Sequence, residues 1–141
     1  VSPHDPGTVY IVVMRYKWND LKPYAYKTSN YGQSWTKITN GFEDPNGFPR
    51  VIREDTQVKG LLYAGTETGL YVSFNDGAQW ERMQLNLPVL PINDLAIRQN
   101  DLVSATAGRS YSNPKEQLVI WRFTIRKTPT ISLAEILPIL W

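Results

Sequence analysis

Three features of the sequence predict an all-β fold. Its apolar runs are short and rich in β-branched and aromatic residues. Gly, Pro, Asn and Asp punctuate them at close intervals. No sustained 3.6-residue period occurs before residue 130. Strands of about five residues with turn signals every 8–12 residues fit a sandwich, a barrel or a propeller. The 141 residues include five Trp, eight Tyr and four Phe, residue types that favour pleated, half-buried surfaces.

The elements follow in order. Val9–Met14 reads as a strand behind the Asp5-Pro6-Gly7 turn. Pro23–Thr28 alternates Tyr24 and Tyr26 with Ala25 and Lys27, the period of a half-buried strand. Trp35–Thr39, Val51–Arg53, Leu61–Gly65, Leu70–Phe74, Trp80–Met83, Asp94–Arg98 and Leu102–Thr106 have the same grammar. Leu118–Arg126 is the strongest strand, with Trp121, Phe123 and Ile125 alternating against Arg122, Thr124 and Arg126. In the tail, Ser132 and Glu135 have capping-box spacing before Ile136 and Leu137, so a short C-terminal helix is expected, ended by Pro138, with an extended segment as the rival.

Two segments repeat. Thr28-Ser29-Asn30-Tyr31-Gly32-Gln33-Ser34-Trp35 and Ser73-Phe74-Asn75-Asp76-Gly77-Ala78-Gln79-Trp80 both read hydroxyl-x-Asn-x-Gly-x-x-Trp, 45 residues apart. Upstream, Gly7-Thr8-Val9-Tyr10-Ile11 aligns with Gly60-Leu61-Leu62-Tyr63-Ala64, and Asn100-Asp101-Leu102-Val103-Ser104 is a weaker third copy. Repeats of about 40–45 residues with several strands each are the mark of propeller blades. The motif sits between two strands and is expected to be a hairpin. Asn30 and Asn75 fold onto backbone amides, Gly32 and Gly77 take positive φ, the hydroxyls of Thr28 and Ser73 satisfy a further backbone group, and Trp35 and Trp80 cover the hairpin end. This is turn stabilisation and needs no reacting group.

These segments resemble Asp-box (BNR) repeats of β-propellers, Ser/Thr-x-Asp-x-Gly-x-x-Trp, with Asn at the Asp position in both copies. The wider stretch from Arg53-Glu54-Asp55 through Gly60 to Ser73, followed by Ala105-Thr106-Ala107-Gly108-Arg109-Ser110, resembles large bacterial glycosyl-hydrolase-like proteins, which are related to sortilin-type and xyloglucanase-type propellers. The resemblance covers residues 1–112 and implies antiparallel four-stranded blades at about 1–45, 46–88 and 89–112 onward, with 113–141 a divergent strand and tail that complete or cover them. It specifies a fold more than a function, because such propellers include sialidases, xyloglucanases, sorting receptors and photosystem assembly factors. The family is often secreted or periplasmic.

About three blades cannot close a ring that typically needs four to eight. The first unit also begins at its second strand. A fragment of a larger protein, a ring completed by a second chain, and a tail that covers the open faces are the three solutions. A homo-oligomer, most simply a dimer, is the expectation, on the uncovered strand faces and the apolar end Ile136-Leu137-Pro138-Ile139-Leu140-Trp141.

Composition narrows the chemistry. With 15 Lys plus Arg against 13 Asp plus Glu, spread along the chain, there is no footprint for nucleic acid. No apolar run reaches the roughly 20 residues of a membrane helix. The chain opens Val1-Ser2-Pro3, with no initiator Met and no signal-peptide pattern, as a processed or trimmed piece would. It has no Cys and a single His, His4, so thiolate metal sites, cysteine nucleophiles and multi-His sites are excluded, and neither metal nor cofactor is expected. The loops opposite the hairpins would be Arg15–Lys22, Thr39–Pro49, Thr66–Gly69, Leu85–Pro91 and Ala107–Ser110. From these, Trp18, Arg15, Asp20, Glu67 and Arg109 are the candidate ligand-binding residues, since aromatic faces stack on sugar rings and charged groups bond hydroxyls. Trp18 leads, being a Trp beside Asn19-Asp20 with no evident core role. Glu43, Asp44, Asp20 and Glu67 are the carboxylates that a glycosidase would draw on. The expected function is a non-catalytic interaction module that binds a glycan or a protein and self-associates through its blade faces. The alternatives are a sialidase- or xyloglucanase-like glycosidase fragment and a truncated relic without activity.

Overall fold

The computed structural model describes residues 1–83, 87–98, 101–107 and 118–124. Among these residues, ten strands form three antiparallel sheets. The first contains β1 (Val9–Val12), β2 (Ala25–Thr28) and β3 (Thr36–Lys37), in that order. The second contains β4 (Pro49–Glu54), β5 (Leu62–Thr66), β6 (Leu70–Ser73) and β7 (Glu81–Arg82), also in chain order. The third contains β8 (Ile92–Arg98), β9 (Asp101–Ala107) and β10 (Leu118–Thr124). Among the described residues there is no α-helix, only a 3₁₀ turn at Tyr16–Trp18. The short helix expected after Ser132 and the apolar chain end lie outside the described residues.

The middle sheet is buried on both faces, which explains why its strands read as near-continuous apolar runs. Leu62, Ala64, Tyr71 and Trp80 pack against Ala25, Ile38 and Phe42 of the first unit. From the opposite face Tyr63, Leu70 and Val72 pack against Ile92, Leu95 and Leu102 of the third. Each fully buried aliphatic side chain stabilises the stack by about 1.5–3 kcal/mol. Gly65 marks the closest approach: a Cβ there would lie 2.5 Å from Ile92 Cγ2, so β5 admits β8 only where no side chain intervenes.

The two hairpins have the same geometry. Tyr31 and Gly32 have φ of 58° and 85°, Asp76 and Gly77 have 61° and 85°, and the turns close through Gln33 N–H to Asn30 O and Ala78 N–H to Asn75 O. Two successive positive φ angles match the twist of a tight β-hairpin. Thr28 Oγ1 donates to Asn30 Oδ1 (2.9 Å) and accepts from Gly32 N (3.0 Å). Ser73 Oγ does the same with Asn75 Oδ1 (3.0 Å) and Gly77 N (2.9 Å). Asn30 and Asn75 Oδ1 also accept from Ser34 N and Gln79 N. These are bonds to a side-chain oxygen that Asp would equally supply, so Asn is tolerated at that place.

A second repeat appears that the sequence does not spell out. Ser2 N donates to Thr8 O, and Asp55 N to Leu61 O. The Ser2 hydroxyl accepts from His4 and Asp5 N, as Asp55 Oδ1 accepts from Gln57 and Val58 N. Gly7 O and Gly60 O each accept from the neighbouring hairpin, at Tyr31 N and Asp76 N. These turns are 53 residues apart and the hairpins 45, so the first unit has eight extra residues between its β1 and β2. β1, β2 and β3 therefore match β5, β6 and β7, and the first sheet has no counterpart of β4 among the described residues. His4 Nε2 donates to Asp55 O (2.7 Å) and ties the two turns together, which is a structural use of the single histidine.

One expectation changes: only the second sheet has four strands among the described residues. The strand from the divergent C-terminal segment joins the third sheet, where β10 pairs with β9, Leu118 opposite Ala107 through Thr124 opposite Asp101. The outer strands β3 and β7 are also only two residues long and begin just after Trp35 and Trp80.

Candidate functional site

Antiparallel connection places the hairpins at one end of the stack and the β1–β2, β3–β4 and β5–β6 connections at the other. At the hairpin end, a cleft of about 340 Å³ lies between the two Asn-Gly turns, lined by Lys27, Ser34, Thr36, Asn75 and Asp76. Lys37 lines it too, with its ammonium 5.4 Å from the Tyr24 ring centroid. Lys27 pairs with Asp76, whose Oδ1 also accepts from the Tyr10 hydroxyl (2.7 Å). Burial first, then that bond, raises the Tyr10 phenol well above its ordinary pKa.

The loop end carries most of the residues that the sequence singles out. The eight-residue excess forms a loop whose 3₁₀ turn closes through Trp18 N–H to Arg15 O and Asn19 N–H to Tyr16 O, with Asn19 in the left-handed region at φ 57°. Arg15 and Asp20 clamp its base, Nη1 to Oδ2, at 3.2 Å. Asp20 Oδ2 also accepts from the Tyr24 hydroxyl at 2.8 Å, and this bond, with help from Lys22 N and the Arg15 charge, lowers the Asp20 pKa. Arg15 lies over the Tyr24 ring, 5.7 Å from its centroid. Trp18 projects from the turn and is 72% exposed.

The neighbouring connections join this loop through groups that the sequence did not flag as a set. Tyr16 stacks on Phe48, centroids 6.1 Å apart and planes 13° off parallel. Arg50 also lies over the Phe48 ring, 5.5 Å from its centroid, and its Nε donates to Glu67 Oε2 at 2.6 Å. Glu67 N donates to Phe48 O, and Thr66 Oγ1 accepts from Thr68 N and Gly69 N, so the short β5–β6 turn is rigid. Arg15, Trp18 and Asp20 thus stand in one loop, and Glu67 is connected to them through Arg50, Phe48 and Tyr16. Phe48 and Arg50 were legible only as an aromatic and a cation flanking Pro49. Arg109 lies outside the described residues. Glu43 is exposed, and Asp44 accepts from the backbone N of Asn46 in its own turn. Among the described residues, no group of three His, Asp or Glu side chains is placed to hold a metal ion, and no helix is long and apolar enough to cross a membrane.

No family model and no curated protein matches the chain. Solved structures do. A GH74 xyloglucanase from Xanthomonas campestris superposes with TM-score 0.61 at 16% identity, over 88% of this chain and 20% of the other. A GH74 enzyme from Niastella koreensis gives TM-score 0.62 at 19% identity, over 88% and 19%. An ancestral GH74 enzyme gives 0.63 at 16% identity, over 88% and 18%. The chain therefore spans about a fifth of each matched structure. At these identities the likeness shows the fold: the stacked sheets are part of a β-propeller.

Proposed function

We propose that this propeller segment is a non-catalytic interaction module whose loop end binds a saccharide. The observation that carries the reading is Trp18. A residue type that normally brings 150–250 Å² of burial stands exposed on a turn clamped by Arg15, Asp20 and Tyr24. A flat ring held out on a rigid support suits stacking on a sugar, with Arg15, Arg50 and Glu67 nearby to bond hydroxyls. One of the matched structures is named a xyloglucanase, which makes plant-type polysaccharides the first ligand class to screen.

Neither Asp20 nor Glu67 is set up as the protonated acid of a glycosidase. A glycosidase needs two placed carboxyl groups, one of them protonated at neutral pH. Asp20 is shifted the opposite way, towards the ionised form, by the Tyr24 hydroxyl. Glu67 is paired with Arg50. The test is a glycan array followed by calorimetry on any hit, with a reducing-end assay on the same saccharides. The expected result is binding without hydrolysis, weakened about thirty-fold or more by Trp18→Ala, the loss of a hot-spot Trp of about 2 kcal/mol. Undiminished binding by Trp18→Ala, or turnover of a bound saccharide, would refute the reading.

A further inference from the structure

The sequence holds two Asn-Gly dipeptides, Asn40-Gly41 and Asn46-Gly47, and both asparagines are exposed. A glycine after an asparagine puts no Cβ beside its own backbone nitrogen, so that nitrogen can reach the asparagine Cγ. The two sites differ in what holds them. Asn40 ties the first sheet to the second. Its carbonyl accepts from Trp80 N (2.8 Å), and its side-chain Nδ2 donates to Gln79 Oε1 (2.6 Å) and, at longer range, to Ala78 O (3.4 Å). Gly41 is pressed against the Trp80 carbonyl oxygen, which lies 2.1 Å from where a Cβ would stand. Turning the Asn40 amide towards Gly41 N therefore breaks bonds to the second sheet and strains the contact between the two.

Asn46 is held through its backbone alone. Asp44-Pro45-Asn46-Gly47 has the residue order of a type I turn. Gly47 N–H closes it onto Asp44 O (3.0 Å), and Asp44 Oδ1 accepts from Asn46 N (2.8 Å). Among the described residues nothing bonds the Asn46 side-chain amide. We propose that Asn46 is a site of spontaneous deamidation, and that the fold protects Asn40 although its dipeptide is the same. Gly47 N attacks Asn46 Cγ, and the new C–N bond closes a five-membered succinimide. The Gly47 N–H proton leaves, and the Cγ–Nδ2 bond breaks to release ammonia. Water then opens either imide carbonyl, giving an aspartyl or an isoaspartyl residue, with no change of oxidation state. The isoaspartyl product lengthens the main chain by one carbon directly before Gly47. That glycine is buried, with Thr68 Oγ1 2.8 Å and Asp44 Cβ 2.9 Å from where a Cβ would stand. Phe48 comes next, so the added carbon bears on its stack with Tyr16.

The test ages the whole chain in neutral buffer at body temperature. The tryptic peptide Ile38–Arg50 holds both sites, and its fragmentation in a mass spectrometer locates the change. The mass gain of an amide turned to an acid should appear at Asn46 at least about tenfold faster than at Asn40, which has more bonds to break. Isoaspartyl methyltransferase should label the aged chain, and Asn46→Ser should remove most of that label. In urea the two rates should converge, because only the fold separates them. Equal rates in the folded chain, or faster conversion of Asn40, would overturn the proposal. So would an Asn46 that stays intact in the folded chain while the urea-treated chain converts, or a rate difference that survives in urea. The saccharide reading through Trp18 has no bearing on any of these outcomes.

Discussion

Truncating the two repeat-related tryptophans should have very different costs, although their motifs are nearly identical. Trp80 is 1% exposed, stacks on Phe42 with centroids 5.0 Å apart, and donates its indole N–H to Ile38 O at 2.8 Å. Trp→Ala in a packed core costs about 3–5 kcal/mol. Trp80→Ala belongs at the upper end, because it also strips the Ile38 carbonyl of its donor. Trp80→Phe keeps most of the ring and isolates that bond, so about 1–3 kcal/mol is expected from the orphaned acceptor. Trp35 keeps nearly half its surface exposed and rests over Gly32 of its own turn, 3.6 Å from where a Cβ would stand. Trp35→Ala should cost about 1 kcal/mol. The assay is urea unfolding at a concentration where scattering gives the mass of one chain, with midpoints compared at constant slope. Equal losses for Trp80→Ala and Trp35→Ala, or a neutral Trp80→Phe, would refute the stacking of the first sheet on the second.

Other consequences follow from the same geometry. Gly65→Ala drives a methyl into Ile92 and Val51 and should destabilise by about 1–3 kcal/mol through overpacking, read from the same urea curves. Asp55→Ala removes the fully buried side chain that accepts from Gln57 and Val58 N and should cost about 1–3 kcal/mol, visible as a lowered thermal midpoint. Alkali should destabilise the fold once the tyrosines of the unfolded chain begin to ionise. Burial, with the Asp55 charge adding to it, raises the Tyr63 phenol, so its contribution is fully present below the unfolded pKa near 10 and is lost as pH climbs towards the folded value. The slope is about 1.4 kcal/mol per pH unit for such a group, and Tyr63→Phe should flatten the decline of stability between pH 10 and 11.

The strands and hairpins were legible because their determinants are local. Alternation at Pro23–Thr28, β-branched runs at Val51 and Leu70, and Asn-x-Gly between strands are each written within a few residues. Thr28-Asn30-Gly32 and Ser73-Asn75-Gly77 adopt the geometry that their chemistry dictates. The turn at Ser2 was harder to match with Asp55, because a hydroxyl and a carboxylate perform the same capping with no shared letter. Burial was not local either. Trp35 and Trp80 occupy the same motif, and only the sheet stacked in front of Trp80 makes one a core residue. At the loop end, Arg15, Trp18 and Asp20 share one loop and could be read together. Phe48, Arg50 and Glu67 come from later connections, and stacking of Tyr16 on Phe48 brings them alongside. Pairing of Leu118–Thr124 with Asp101–Ala107 was not encoded in the strand itself. A strong alternating strand can pair with any open edge, and it is the third sheet that receives it.

The stacking of repeat-related sheets is tested most directly by the indole proton of Trp80. In a nuclear Overhauser spectrum it should show cross-peaks to the Ile38 side chain and exchange slowly with solvent, while the Trp35 indole proton exchanges freely in the single chain. A rapidly exchanging Trp80 indole, with no contact to Ile38, would contradict the architecture.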